Sequence, residues 1–295
     1  MPSVAQAAAP FILKYYDKQV LYHSTTAEGQ FPLVVYVSGP QGSGKTYSSR
    51  AIRKSLLSSR PNLRIVVVSI DDFYLTHKDQ LLLSERFAGN ALLQGRGLPG
   101  THDLALIDEF LHKLRSPGTV GIPAYDKSRF GGEGDRVSPS EEFEPPIDIL
   151  VVEGWFLGFQ GLSEDTICSM RQEKNSKRGQ LLREHSLENL LQINSYLSRY
   201  SQLLWGNASF PSLGIVIAAD TENIYTWRQE QETELIAKSG QGMNSAQVKA
   251  FVSRYMPCYE IYYPPLKATG KLGNCATLVV DIDHERNVTG SKVQE

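Results

Sequence analysis

The sequence has few cysteines, no long apolar run and no excess of one charge. Only three of its 295 residues are cysteines, Cys168, Cys258 and Cys275, and they form no C-x-x-C motif. This spacing argues against a disulfide scaffold or a zinc site and favours a reducing compartment. The formal net charge of −2 lacks the basic excess that a dedicated nucleic-acid-binding protein would carry.

Membrane and export signals are also lacking. No apolar stretch approaches the roughly 20 residues that are needed to span a bilayer. The beginning of the chain lacks the basic region and the unbroken apolar core of a signal peptide. We therefore expect a protein of the cytoplasm, or also of the nucleus, that contacts neither membranes nor nucleic acids. The sequence leaves its oligomeric state open.

Short β-branched runs alternate with helical patterns along the chain. The runs are apolar at odd and even positions alike, as is typical of parallel strands that are covered on both faces. They cover residues 33–38, 65–70, 147–152, 213–219 and 276–282. The helical patterns cover residues 46–58, 78–87, 104–114, 187–204, 222–238 and 245–262. This alternation predicts a three-layer α/β fold with a mainly parallel five-stranded sheet and helices on both faces.

Two polar stretches interrupt the alternation. Residues 115–146 are rich in Gly, Pro and charge, and residues 160–185 are polar with a basic centre. We interpret residues 160–185 as a solvated surface excursion rather than a binding patch. Since the chain has no internal repeat, heptad pattern or clear linker, we expect a single domain over residues 1–295 with insertions at these two places.

The segment GPQGSGKT at residues 39–46 lies between the first predicted strand and a predicted helix. Glycines in this context let backbone N–H groups turn inward and form an anion nest at the positive end of the helix. Lys45 can then reach the β- and γ-phosphates of a nucleoside triphosphate, and the hydroxyl of Thr46 can ligate Mg²⁺. The residues expected to bind the nucleotide are Gly39, Pro40, Gln41, Gly42, Ser43, Gly44, Lys45, Thr46 and Tyr47.

Carboxylates follow two of the other predicted strands. Asp71 and Asp72 follow the second strand, at the sheet edge where α/β proteins bind ligands. Neighbouring strand residues face opposite sides, so the two aspartates are expected to have different roles, and one could accept the proton of an acceptor hydroxyl. Glu153 follows the third strand in the Walker-B position, where we expect it to hold Mg²⁺ directly or through water. Trp155 and Phe156 are expected to belong to the core or to a pocket wall.

Arg228 lies in the predicted helix at residues 222–238. A guanidinium near the transferring phosphoryl group would offset negative charge in the transition state. Its spacing to Glu232 equally fits an ordinary i,i+4 ion pair. Spacing alone favours the ion pair.

Six segments together resemble the D-glycerate 3-kinase group of P-loop kinases, and in particular its fungal ATP-binding relatives. They are GPQGSGKT, SIDDFYLTH, LLQGRGLPGTHD, PAYDKSRFGGEGDR, VVEGWFLGF and WRQEQE. The group is similar in turn to uridine kinase, phosphoribulokinase and bacterial-type pantothenate kinase. The resemblance implies a kinase that uses ATP and Mg²⁺ to phosphorylate an alcohol group of a small metabolite, with D-glycerate favoured. It also implies that the strand of Glu153 lies beside the P-loop strand.

The resemblance implies roles for individual residues as well. It implies that Asp71 is the base, that Asp72 supports it, and that Arg228 belongs to a mobile lid. The segments that line the acceptor pocket in the relatives correspond here to His102, Asp103, Tyr125, Asp126, Lys127 and Arg129.

The residues themselves leave the acceptor open. A small anion would need cations, for which Lys127, Arg129 and Arg136 are candidates, whereas a nucleoside such as uridine would need aromatic rings. The aromatic candidates are Phe73, Tyr74, Tyr125 and Phe130. A nucleotide-dependent switch would need a D-x-x-G motif after the Walker-B strand and an N/T-K-x-D motif, and we find neither. A pantothenate-type kinase, or a scaffold that binds ATP without turnover, is a further alternative.

Overall fold

The computed structural model describes residues 3–25, 31–139, 141–239 and 242–295. These residues form an α/β fold with helices on both faces of a mainly parallel sheet, which confirms the predicted class. The helices are α1 (Val4–Thr25), α2 (Lys45–Ser59), α3 (His77–Arg86), α4 (Leu104–Lys113), α5 (Glu164–Gln172), α6 (Lys177–Arg183), α7 (Leu187–Leu203), α8 (Asn223–Ser239) and α9 (Ser245–Thr269). The strands are β1 (Leu33–Ser38), β2 (Ile65–Ser69), β3 (Val120–Gly121), β4 (Ala124–Asp126), β5 (Asp135–Val137), β6 (Glu142–Phe143), β7 (Ile149–Gly154), β8 (Ser212–Ala218), β9 (Ala276–Ile282) and β10 (Val288–Gln294).

In the described residues the central sheet has six strands in the order β10-β9-β8-β1-β7-β2. The five predicted strands are all present and run parallel to one another, and β10 adds an antiparallel strand at the edge beside β9. The sequence pattern did not predict β10, because most of its residues are exposed or half-exposed and it therefore has no continuous apolar run. An edge strand needs no such run, since only one side of it is covered.

The P-loop strand β1 lies inside the sheet, between β7 and β8. Its register with β7 pairs Val37 with Glu153, and β2 on the other side of β7 pairs Ser69 with Glu153. The carboxyl ends of these parallel strands therefore meet at one edge of the sheet, where open α/β sheets bind ligands. The predicted placement of the Glu153 strand beside the P-loop strand is confirmed.

Both faces of the sheet are buried. Successive residues of β1 enter two different hydrophobic cores: Val34 and Tyr36 pack in one, and Leu33, Val35 and Val37 pack in the other. This division follows from the two-residue period of a strand. It also explains why the predicted strands are apolar at every position.

The predicted helices are all present, and the ends of five of them lie within a single residue of the predicted bounds. The sixth, α9, continues to Thr269 although Pro257, Pro264 and Pro265 lie inside it. Proline normally ends a helix, so the sequence pattern predicted an end near residue 262. The buried side chains along α9 hold this segment against the core and stabilise its helical conformation.

α1 was not predicted at all. Its amphipathic pattern is weak, because alanines occupy its first turns and Pro10 lies inside it. Ala8 and Ile12 are nevertheless fully buried in the second core, against the sheet. Within the described residues, no helix is both long and apolar enough to cross a lipid bilayer.

The two polar stretches contain ordered structure. Residues 160–185 form α5 and α6, whose Ile167 and Leu182 are fully buried, so the interpretation as a solvated excursion is wrong for these positions. Residues 115–146 form two small antiparallel pairs, β3 with β6 and β4 with β5, except that Ser140 lies outside the described residues. The single-domain organisation stays a prediction.

Candidate active site

The loop between β1 and α2 has the backbone conformation of an anion nest. Gly42 and Gly44 have φ angles of 81° and 84°, a region that glycine adopts without strain. A Cβ atom on Gly42 would also lie 2.4 Å from Cβ of Trp227. Gly44 caps α2 without a side-chain hydrogen bond. The N–H groups of the first turn can therefore bind an anion at the positive end of the helix.

Lys45 and Thr46 begin α2 and meet the carboxylate of Glu153. Lys45 is only 9% exposed, and its Nζ donates a hydrogen bond of 3.0 Å to the carbonyl of Pro40. Burial lowers the pKa of Lys45, against the opposing effect of the Glu153 and Asp71 carboxylates. The hydroxyl of Thr46 donates to Oε1 of Glu153 at 2.9 Å. The residues predicted to hold phosphate and Mg²⁺ thus converge at one place.

The side-chain oxygens of Thr46 and Glu153 are suitable ligands for a magnesium ion that binds together with a nucleotide. The Thr46 hydroxyl and the Glu153 carboxylate supply the hard oxygen ligands that Mg²⁺ prefers, and phosphates and water usually complete its coordination. In the part of the chain that the structure describes, no group of three or more His, Cys, Asp or Glu side chains could hold a metal ion. The hydroxyl of Ser43 is buried in the loop without a hydrogen-bond partner among the described residues. A hydroxyl in that position can donate to a phosphate oxygen.

The two aspartates after β2 have different surroundings. Asp72 accepts a hydrogen bond of 3.1 Å from the N–H of Ser69, which closes the 3₁₀ turn Ile70–Phe73 that follows β2. Burial raises the pKa of Asp72 to about 6, against the opposing hydrogen bond from Ser69. This contact gives Asp72 a structural role in the turn that carries Asp71.

Both carboxylate oxygens of Asp71 are engaged. Oδ1 accepts a hydrogen bond of 2.8 Å from the hydroxyl of Tyr74, and Oδ2 accepts one of 2.6 Å from Nζ of Lys127. Burial favours the neutral acid, but the Lys127 ammonium, His102 and the Tyr74 hydroxyl together outweigh it and hold the pKa of Asp71 below its ordinary value. Asp71 is therefore ionised at neutral pH.

A ring stack lies behind Asp71. The ring of Tyr74 stacks on that of His102 with a centroid separation of 4.4 Å. His102 is buried, and its Nδ1 lies 2.9 Å from the hydroxyl of Tyr200. Burial lowers the pKa of His102 to about 3, so its imidazole is neutral at physiological pH. The structure thus places His102 as a support for Tyr74.

Two other predicted acceptor residues lie around Tyr74. Asp103 caps α4 and accepts a hydrogen bond of 2.9 Å from Arg136, which also donates to the carbonyl of Tyr74. Tyr125 packs edge-on against Tyr74 at 5.2 Å. Together with Lys127, these contacts bring the β4–β5 hairpin and the start of α4 to the Asp71 turn.

Two predicted arginines pair with carboxylates on their own segment. Arg129 is half-exposed, and its ion-pair partner is Asp126 at 3.6 Å rather than Asp71. Arg228 pairs with the buried Glu232, and its guanidinium lies 4.7 Å from the ring centroid of Phe251. The i,i+4 pair that spacing favoured is thus present. A catalytic role for Arg228 stays a prediction.

Two further residues support the site and were not singled out in the sequence. The hydroxyl of Tyr259 in α9 accepts a hydrogen bond of 2.9 Å from the N–H of Gln41 in the P-loop. Arg96 donates to the carbonyls of Gly132 and Glu133 and so fixes the β4–β5 hairpin. Arg96 lies in the glycine-rich segment LLQGRGLPGTHD, and this motif could have identified it as a site residue. No local sequence pattern identifies Tyr259.

Arg286 was missed as well, although it contacts the P-loop. Its Nε donates a hydrogen bond of 2.7 Å to the carbonyl of Gly42, and its guanidinium lies 5.0 Å from the ring centroid of Trp227. It also pairs with Glu230 at 2.8 Å. The backbone φ of Arg286 is 68°, a conformation that strains a non-glycine residue. The guanidinium thus fixes the outer side of the phosphate loop.

Arg286→Gly is expected to weaken ATP binding about three- to tenfold, or about 0.7–1.4 kcal/mol. The Gly42 carbonyl would lose its charged partner, while glycine would relieve the positive φ, so the free energy of unfolding should change little. Calorimetric titration with ATP, together with thermal unfolding, would measure both quantities. Unchanged ATP affinity in a stable Arg286→Gly variant would show that this contact does not shape the loop.

No protein-family model matches the chain. The probable ATP-dependent kinase TDA10 of Saccharomyces cerevisiae is 41% identical to it over 296 residues, which cover 96% of each chain. The solved structure of the YGR205w protein has a TM-score of 0.86 and 42% identity, and covers 100% of this chain and 99% of its own. D-glycerate 3-kinase from Cryptococcus neoformans var. grubii has a TM-score of 0.82 and 34% identity, and both chains are fully covered. The similarity therefore extends well beyond the P-loop.

Proposed function

Because this chain belongs to the D-glycerate 3-kinase group of P-loop kinases, and is therefore an ATP-dependent phosphotransferase, we propose that it phosphorylates a hydroxyl of D-glycerate. The observation that carries the proposal is the ammonium of Lys127 beside Asp71. An acidic acceptor needs a cation close to the base that receives its proton. Lys127 provides that cation on a side chain that is 54% exposed.

Further positive charge supports an anionic acceptor. Arg136 contacts the carbonyl of Tyr74 at 3.0 Å, and the guanidinium of Arg96 lies 5.7 Å from the ring centroid of Tyr125. With Lys127, these arginines place three cations at the Asp71 turn and the neighbouring β4–β5 hairpin, where Arg136 is paired with Asp103. Charge-assisted hydrogen bonds to a carboxylate are stronger than neutral ones, so the arrangement favours a small acid.

The aromatic residues that a nucleoside would need are already packed. Phe73 is fully buried against Phe110, and one face of Tyr74 is covered by His102. Phe130 stacks on His77 at 3.8 Å. Stacking of a base on Phe73, or on the covered faces of Tyr74 and Phe130, would require these contacts to break, which favours glycerate over a nucleoside.

The proposed reaction is in-line transfer of the γ-phosphoryl group to the acceptor hydroxyl. The N–H groups of residues 39–46 and Lys45 would hold the phosphates. Thr46 and Glu153 would hold Mg²⁺, which neutralises negative charge on the phosphates when it is bound. Asp71 would orient the acceptor hydroxyl and receive its proton at a carboxylate oxygen.

The acceptor is tested by comparing D-glycerate with glycerol, uridine and pantothenate in an assay of ADP release. D-Glycerate is expected to give the highest kcat/KM, about 10- to 150-fold above glycerol, because a charged hydrogen bond to its carboxylate contributes about 1.5–3 kcal/mol. Identification of the phosphorylated product by mass spectrometry would separate transfer from hydrolysis. Faster turnover of uridine or pantothenate would reject D-glycerate, and ATP binding without any turnover would favour a scaffold.

A further inference from the structure

In the arrangement that the structure shows, Asp71 is a weakened base. A base needs a free lone pair toward the hydroxyl from which it takes a proton. Here Oδ1 of Asp71 accepts from Tyr74, and Oδ2 is in close contact with the ammonium of Lys127. Each oxygen keeps a second lone pair, but a proton on Asp71 would lie beside the Lys127 ammonium, which opposes it. Proton transfer is therefore easier once one of these two partners moves.

Tyr74 is the fixed partner. Its side chain is buried, stacked on His102 and packed edge-on against Tyr125. Tyr74 follows Asp71 by three residues, so the hydrogen bond between its hydroxyl and Asp71 lies within one turn of the chain. Removal of Tyr74 from Asp71 would disrupt the ring stack behind the base.

Lys127 is the exchangeable partner. Its side chain is half-exposed and reaches Asp71 from β4–β5, a hairpin that is not part of the central sheet. The hairpin itself is held by other residues: Arg96 donates to carbonyls within it, and Arg136 within β5 donates to Asp103. A half-exposed ion pair contributes little to stability, so the lysine can leave Asp71 while the hairpin stays in place.

We propose that Lys127 is a substrate-responsive cap on Asp71, which the carboxylate of an acidic acceptor draws away from the base. This inference rests on the proposed function and adds a specificity mechanism to it. An acceptor with a carboxylate binds the ammonium, which takes the positive charge away from Oδ2 and makes Asp71 a stronger base toward the acceptor hydroxyl. A neutral alcohol, or water, leaves the cap in place.

The cap also limits wasteful hydrolysis of ATP. In that side reaction a water oxygen forms a bond to the γ-phosphorus, the bond from this phosphorus to the bridging oxygen of ADP breaks, and the water proton passes to Asp71. The products are ADP and inorganic phosphate. While the ammonium of Lys127 is paired with Oδ2, Asp71 is a weaker base toward water, so hydrolysis stays slow until an acid is bound.

Lys127→Met tests the cap without any assumption about the acceptor. Inorganic phosphate release from ATP in the absence of acceptor is expected to rise at least threefold, because Oδ2 becomes accessible to water. KM for D-glycerate is expected to rise at least tenfold in the same variant. Lys113→Met is the matched control, since Lys113 is similarly exposed and pairs with Glu109 on α4. Phosphate release that is unchanged in a folded, ATP-binding Lys127→Met protein would overturn the proposal.

A second measurement uses the unaltered protein and so does not depend on the stability of a variant. D-Lactate has the carboxylate of D-glycerate but a methyl group in place of its hydroxymethyl group, so it can displace the cap but lacks the 3-hydroxyl that a D-glycerate 3-kinase phosphorylates. It is expected to increase phosphate release at least threefold, and its neutral analogue propane-1,2-diol should not. Equal phosphate release with D-lactate, with the diol and without additive would refute removal of the cap by a carboxylate.

The two proposals fail in different ways. If D-glycerate is not the acceptor, the wild-type protein will form no phosphoglycerate, whereas Lys127→Met will still release more phosphate from ATP. If the cap is wrong, phosphoglycerate will form normally while Lys127→Met shows the phosphate release of the wild type.

Discussion

Lys45→Ala is expected to lower kcat/KM by about 10²–10³-fold or more, the range found when one preorganised donor is removed from a charged transition state. Lys45 is almost completely buried and shares its surroundings with the carboxylates of Glu153 and Asp71. Its ammonium is therefore the cation best placed to meet phosphate charge at the start of α2. Steady-state ADP release and ATP titration would show whether binding, turnover or both are lost.

Folding should not account for that loss. Burial lowers the pKa of Lys45, which means that the charged side chain is less favourable in the folded chain than in the unfolded one. Below the ordinary lysine pKa, its removal therefore relieves a penalty, and thermal unfolding should occur near the wild-type temperature. Lys54→Ala is the matched control, because Lys54 is an exposed lysine of the same helix. If Lys45→Ala turned over ATP at the wild-type rate, the proposal that this loop binds the phosphates would be contradicted.

Asp71→Asn is expected to lower the rate of phosphoryl transfer by about 10²–10⁴-fold, the contribution of a positioned general base. The amide oxygen can still accept the hydrogen bond from Tyr74, so the turn keeps its shape, but the side chain can no longer take a proton. ATP affinity should stay near that of the wild type, because the hydrogen bonds of Asp71 run to Tyr74 and Lys127 rather than to the loop at residues 39–46. Single-turnover kinetics and ATP titration would separate the two effects.

The pH dependence of activity is an independent test of the protonation state of Asp71. Lys127 and Tyr74 hold its pKa below the ordinary 3.8, and a base with a lowered pKa stays ionised as the pH falls. Activity lost between pH 7 and pH 5 should therefore not come from protonation of Asp71. Asp108→Asn, which changes an exposed carboxylate of α4, is the control for both measurements. Full-rate transfer by Asp71→Asn would exclude it as the base.

Much of the fold could be predicted from local patterns. The β-branched runs identified the parallel strands, because a strand that is buried on both faces must be apolar at every position. The glycines of residues 39–46 identified the phosphate loop for an equally local reason, since glycine adopts the positive φ angles of this loop without strain. The order of β1 and β7 came from the resemblance to known kinases rather than from the pattern.

The missed elements share a physical cause. β10 is an edge strand with exposed residues, and α1 has a weak amphipathic pattern. Both are stabilised by the surface against which they pack, and that surface is formed by residues far away in the chain. α9 extends past its prolines for the same reason. Local propensity was overridden in each case by tertiary packing.

The sequence by itself determined the α/β class, the phosphate loop and the carboxylates at the ends of β2 and β7, because each depends on neighbouring residues and on the period of a strand or helix. Only the tertiary structure decided which side chains meet. The Lys127–Asp71 pair joins residues 56 positions apart, and the contact between Arg286 and Gly42 joins residues 244 positions apart. No spacing rule reaches across such distances, since these contacts exist only after the sheet, the hairpin and the helices have packed together.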